Sequence, residues 1–154
     1  MSVRLALPAD APAIARVISD SFAAYEPMYT PGAFAATTPS ASVIEQRFGE
    51  GPIWVAERQG AIVGTASAVP KGTELYVRSV AVLPSARGRQ VGQALMRQVE
   101  DYALAEGFQR MFLNTTPFLT GAIRLYERIG FQRSGEGPHE LHGTPLVTMV
   151  KELA

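Results

Sequence analysis

The sequence predicts a mixed α/β fold, with antiparallel strands in its first half and a strand–helix–strand crossover in its second. Three observations lead there. The chain has 154 residues with no internal repeat, low-complexity tract or Pro/Ser linker, which fits a single domain over residues 1–154. Apolar runs at 53–58, 61–69 and 74–83 are separated only by short turn segments. Between Arg89 and Glu106, Val91, Leu95, Val99, Tyr102 and Ala103 form one helical stripe with an apolar run on either side.

Each element has its own signal. Val3–Leu7 is a short strand. Asp10 is placed to cap a helix with Pro12 in its first turn, and Ile14, Val17, Ile18, Phe22 and Tyr25 recur at helical spacing. Tyr25–Pro39 holds Pro27, Pro31, Gly32 and Pro39 and reads as a long loop. Val43, Ile44 and Phe48 predict a short helix ending at Gly49-Glu50-Gly51. Ile53–Arg58 and Ala61–Val69 form a hairpin across Gln59-Gly60, and Lys71-Gly72 turns the chain into Glu74–Leu83. The stripe helix stops at Gly107. Met111–Asn114 is a short buried strand, Leu119–Ile129 a helix ended by Gly130, and strands follow from Phe131 and over Leu146–Lys151.

Composition narrows the chemistry. Absence of cysteine excludes disulfides, a thiol nucleophile and thiolate zinc sites. Fourteen basic and fourteen acidic residues argue against bulk attraction to nucleic acid or anionic membrane. No apolar run approaches the roughly 20 residues needed to span a bilayer, and the N-terminus lacks a signal-peptide core, so a cytoplasmic location is expected. His139-Glu140-Leu141-His142 is H-E-x-H rather than the H-E-x-x-H of a zinc helix, and Gly137-Pro138 and Gly143 flank it, so no metal site is expected. There is no G-x-S-x-G elbow.

The densest signal runs from Val80 to Leu95. A strand leads through a turn into a loop bearing Arg87, Gly88 and Arg89, and then into the stripe helix. Unpaired amides at a helix start, together with its dipole, make an anion site. From Leu75 to Val99 there are four arginines (Arg78, Arg87, Arg89, Arg97) and no acid. The expected ligand carries a pyrophosphate. A P-loop pattern is absent, and Gly88 and Gly92 are wrongly spaced for a dinucleotide fingerprint.

Arg87 and Gly92 stand at the first and last positions of Q/R-x-x-G-x-G/A, with Gln90 in place of the middle glycine. Ala122-Ile123-Arg124-Leu125-Tyr126-Glu127-Arg128-Ile129-Gly130-Phe131 matches A-x-x-L-Y-E-x-x-G-F, with Leu119 where asparagine is common. On these two segments the chain resembles the GNAT superfamily of acyl-CoA-dependent N-acetyltransferases. The resemblance implies a mixed, twisted sheet of six or seven strands with about four helices. The cofactor would sit where two central parallel strands splay apart.

The resemblance also implies an activity: acetyl transfer from acetyl-CoA to a primary amine by direct attack in a ternary complex, releasing coenzyme A and using no metal. The backbone of Val80, Ala81 and Val82 would pair with the pantetheine arm. Arg87, Gly88, Arg89, Gln90, Val91, Gly92 and Gln93 would hold the pyrophosphate. Tyr126 would be the general acid. Glu74, thirteen residues before Arg87, would be the general base, and would share a face with Tyr76, Arg78, Val80 and Val82 if no bulge intervenes. Tyr25, Glu26, Tyr29, Tyr76 and Arg78 would line the acceptor side, with Glu26 attracting a cationic amine. The acceptor amine would belong to a small molecule, a peptide or a protein, and a homodimer is an assembly common among relatives. The alternative is an acyl-CoA-binding sensor that has lost efficient catalysis.

Overall fold

The computed structural model describes residues 1–88 and 90–153. The chain begins with β1 (Ser2–Leu5) and α1 (Ala11–Phe22), followed by α2 (Pro31–Thr37) and α3 (Ala41–Arg47). Then come β2 (Ile53–Arg58), β3 (Ala61–Lys71) and β4 (Glu74–Val82), then α4 (Val91–Ala105), β5 (Arg110–Thr115) and α5 (Thr120–Arg128). The chain ends with β6 (Gln132–Ser134), a small hairpin of β7 (Glu140–Leu141) and β8 (Thr144–Pro145), and β9 (Val147–Glu152). Seven strands form one sheet in the order β1-β2-β3-β4-β5-β9-β6, and only β4 and β5 run parallel.

Helices cover both faces, and strand alternation explains how. On β2, Ile53 and Val55 pack with Ile14, Val17 and Ile18 of α1 and Ile44 of α3. Their neighbours Trp54 and Ala56 pack on the opposite face with Val91, Leu95, Met96 and Val99 of α4. Leu95, Met96 and Val99 are almost fully buried, and each large apolar side chain so placed contributes about 2 kcal/mol. Gly64 lets the first turns of α4 lie close to the sheet. A Cβ there would stand 3.0 Å from both Leu95 Cδ1 and Val91 Cγ1.

Two sequence expectations are corrected. Asp10 does not cap α1. Its carboxylate accepts the Leu7 amide at 2.7 Å and pairs with Arg4 at 2.8 Å, closing the 3-10 turn Pro8–Asp10 instead. Residues 25–39 are not one irregular loop. Tyr25 lies in a 3-10 turn, Ala23–Met28, and α2 follows it, capped by the Thr30 hydroxyl accepting from the Ala33 amide. Pro31 marks the first helical turn here rather than a break.

The main departure from regular strand geometry is in β4. Ser67 faces Arg78 and Thr65 faces Ala81, so Ser79 and Val80 together oppose Ala66. Ser79 takes the left-handed conformation, φ 55°. This bulge inverts the alternation. Before it, Leu75 and Val77 face the α4 layer; after it, Ala81 faces the α1 layer and Val80 and Val82 turn toward α4. Glu74, Tyr76 and Arg78 therefore do not share a face with Val80 and Val82. The shared face, expected from sequence only if no bulge intervened, is therefore not formed.

Candidate active site

The β4–β5 ladder holds for only three pairs, Glu74–Arg110, Leu75–Met111 and Tyr76–Phe112. Beyond them β5 stays paired with β9 as far as Thr115, while β4 runs on to Val82 without β5 alongside. The two parallel strands splay apart, and two cavities occupy the opening.

The first has a volume of about 710 Å³. One wall is the β4 edge, Val80, Ala81 and Val82; another is the α4 entry, Arg87, Gly88, Gln90, Val91, Gly92 and Gln93; Leu125 and Tyr126 of α5 close it. Gly88 (φ 78°) and Gln90 (φ 62°) both have left-handed backbones, which bends the chain sharply into α4. The first-turn amides of a helix have no partner within the helix, and this first turn carries no acid. Such a cradle attracts anions. Arg87 donates its Nη2 to the Ser21 carbonyl at 2.7 Å, so its guanidinium also pins the loop to the end of α1. Arg89, expected in the cradle, lies outside the described residues.

The second cavity, about 460 Å³, lies on the other side of Val80. Its walls include Tyr29, Arg47, Tyr76, Arg78 and Thr116, with the β7–β8 hairpin contributing Glu140 and Thr144. The hairpin is tied to the start of α2: the Thr30 hydroxyl donates to the His142 carbonyl at 2.7 Å, and the Thr144 hydroxyl accepts the Thr30 amide at 2.9 Å. Tyr76 stacks on Phe112, ring centres 5.0 Å apart, and Tyr29 packs edge-on to Phe118 at 4.9 Å. Burial raises the Tyr29 phenol.

Phe22, Val80, Leu119, Ala122 and Tyr126 line both cavities. Tyr126 is 5% exposed, and burial pushes its phenol well above the usual range. It stays protonated at any ordinary pH and can serve as a proton donor.

The expected acceptor residues do not all gather here. Tyr29, Tyr76 and Arg78 line the second cavity, whereas Tyr25 lines the first. Glu26 is exposed in its 3-10 turn and lines neither. Glu74 also lies in neither wall. It pairs with Arg110 at 3.7 Å, six residues before Val80, or about 20 Å of extended strand. Arg47 and Ser79 were not singled out from sequence, and His139–His142 was weighed as a metal motif, not as the hairpin that walls the second cavity. Arg47 ends an unremarkable short helix, and only the fold brings it to the bulge. Among the described residues no group of three or more His, Asp or Glu side chains could hold a metal ion.

A sheet opened between its two parallel strands, with a helix start at the mouth, is the architecture this chain shares with solved GNAT-family acetyltransferase structures. The chain belongs to the acetyltransferase (GNAT) family, whose model matches residues 15–131. It is 33% identical over 129 residues to the uncharacterized N-acetyltransferase YjgM of Escherichia coli, covering 80% of this chain and 77% of that one. It is 36% identical over 94 residues to the mouse protein named probable N-acetyltransferase family 8 member 5. That match covers 56% of this chain but only 40% of the mouse protein's length. Among solved structures, yncA from Salmonella typhimurium, determined with its cofactor acetyl-CoA, superposes with a TM-score of 0.80 at 22% identity. That superposition covers 100% of this chain and 94% of yncA. No helix among the described residues is long and apolar enough to cross a membrane.

The first cavity fits the acyl-CoA that the family implies. It is lined by apolar side chains of β4 and α5, edged by the side of β4 that β5 leaves open, and bordered by the first-turn amides of α4, where phosphates would lie.

Proposed function

We propose that the protein is an N-acetyltransferase that moves an acetyl group from acetyl-CoA to a primary amine in a ternary complex. Support comes chiefly from the junction of the two cavities at Val80 and Tyr126. A donor on one side and an acceptor on the other would meet there. When bound, acetyl-CoA supplies a thioester: the amine nitrogen bonds to its carbonyl carbon, the carbon–sulfur bond breaks, and coenzyme A leaves as the thiol.

The chain's own residues would do the following. The β4 backbone over Val80–Val82 offers amides and carbonyls to an extended ligand, as a neighbouring strand would. The Val80 N–H polarises the reacting carbonyl oxygen. Gly88 and the amides of Gln90 to Gln93 hold the pyrophosphate, with Arg87 keeping the loop in place. The Tyr126 hydroxyl gives its proton to the departing sulfur, and the proton shed by the attacking nitrogen as the amide forms restores the phenol through water. The junction residues include no carboxylate. The acceptor therefore enters as free base, having lost its proton to water.

Thiol release from acetyl-CoA over a panel of amines tests the reading. Tyr126→Phe is expected to lower kcat about 100-fold while leaving the acetyl-CoA dissociation constant in place. Unchanged turnover removes Tyr126 from the mechanism. Tight acetyl-CoA binding with no thiol release from any amine would favour an acyl-CoA sensor instead.

A further inference from the structure

The wall of the second cavity carries an imbalance of charge. Arg47 and Arg78 both line it, and the only carboxylate beside them in that wall is Glu140, exposed on the β7–β8 hairpin. Arg78 reaches Glu50 at 3.1 Å through Nη2 on its solvent side. Its Nε is buried and has no hydrogen-bond partner among the described residues. Arg47 is half-buried and donates Nη1 to the Ser79 hydroxyl at 2.9 Å, a neutral acceptor. Among the described residues no carboxylate lies within 4.0 Å of it. Burial, and after it the charge of Arg78, lowers the Arg47 pKa against a smaller rise from Glu50, the one carboxylate that the two cations share.

Two guanidinium groups drawn partly out of water are costly unless an anion joins them. A guanidinium fork matches a carboxylate in shape and charge. We propose that the acceptor is a primary amine that also carries a carboxylate, a free amino acid, whose carboxylate is held by Arg47 and Arg78. The inference rests on the acetyltransferase reading of the same site.

Position supports it as well as charge. Arg78 stands two residues before Val80, at most about 7 Å along the chain, and Arg47 is anchored on Ser79 between them. A carboxylate on this pair leaves room for an amine a few bonds away to reach the Val80–Tyr126 junction. The same charges repel polyamines and aminoglycosides. They replace the expectation that Glu26 draws in a cationic amine, since Glu26 lies outside the cavity.

Arg47 also holds Ser79 in its left-handed bulge, and a purely structural role would affect every acceptor alike. The experiment separates the two. Thiol release is measured on the full chain with acetyl-CoA and L-serine, L-phenylalanine and L-aspartate, each against its α-carboxamide. The carboxamides hold more free amine at neutral pH, so any preference for the acid runs against intrinsic reactivity. The unaltered protein should favour at least one acid over its amide by about 100-fold in kcat/KM, mostly through KM. In Arg47→Gln and Arg78→Gln that ratio should fall toward one, and in Arg47→Lys it should fall part of the way. A ratio near one in the unaltered protein overturns the proposal without any variant having to fold. So does faster turnover of spermidine, or of a peptide amide, than of every amino acid.

Calorimetry keeps this inference apart from the acetyltransferase reading. If no amine yields thiol, that reading fails, and titration of the same acids and amides into the coenzyme A-loaded protein still decides this one. Binding of an acid but not its amide, lost in Arg47→Gln, sustains it; equal binding or none overturns it.

Discussion

Gln90 holds a left-handed backbone, φ 62°, at the middle glycine position of Q/R-x-x-G-x-G/A. A side chain there costs about 1 kcal/mol. Gln90→Gly is expected to recover much of that and raise the melting temperature by a few degrees, measured by thermal unfolding, while tightening acetyl-CoA binding in titration. Glu74 tests the opposite kind of residue, one whose place in the sequence promised a role. Paired with Arg110 and remote from the junction, it should leave the pH dependence of kcat/KM unmoved in Glu74→Gln, the profile following the acceptor amine. A shifted limb would return Glu74 to the mechanism as a base acting through water. That Val80–Val82, the α4 entry and Tyr126 line one cavity was legible because each sits within one short local segment. The second cavity was legible only in part: Tyr29, Tyr76 and Arg78 were singled out and line it, whereas Arg47 was not. Arg47 and Arg78 are 31 residues apart in sequence, and the left-handed Ser79 that joins them has no signature in residue type.

The helix α4 shows how one element couples folding to binding. Its apolar stripe buries Val91, Leu95, Met96 and Val99 and so fixes where its first turn points. That turn has no acid, although acids there normally stabilise a helix. Gln93 is exposed on it. Gln93→Glu should therefore have two effects of opposite sign. Stability in denaturant should rise by about 0.5 kcal/mol, and acetyl-CoA affinity should fall about tenfold through repulsion of the pyrophosphate. A rise in both would mean that the phosphates lie elsewhere. Most elements were legible from periodicity and turn residues, including the hairpin at Gln59-Gly60, where both residues have positive φ. Residues 25–39 were misread because proline at a first helical turn resembles proline in a loop. The β7–β8 hairpin was missed because its strands are two residues each.

At the scale of the molecule, fourteen positive and fourteen negative side chains cancel, yet the charges in the wall of the second cavity do not. Stability also has a pH limit set by a buried neutral group. The Tyr126 phenol is raised in the folded chain, whereas an unfolded chain ionises its tyrosines near pH 10. Above that pH the unfolded state binds fewer protons than the folded one, so folding stability declines as pH rises. The contribution is fully present below about pH 10 and is lost at up to about 1.4 kcal/mol per pH unit beyond it. Urea unfolding between pH 8 and pH 11 should show this decline, and Tyr126→Phe should flatten it. An identical slope in the variant would mean that the phenol reaches water.

Only three residue pairs join β4 to β5, although these strands lie at the middle of the sheet. The sheet is in effect two panels on a short seam: β1 to β4 on one side, and β5, β9 and β6 on the other. An extended ligand bonded to the open edge of β4 would add backbone hydrogen bonds where the protein has left them out. Hydrogen exchange along the β4 edge then becomes a gauge of occupancy. The amides from Val77 to Val82 that face the opening should slow when the seam is filled, and those of β1 and β2, already paired, should change least.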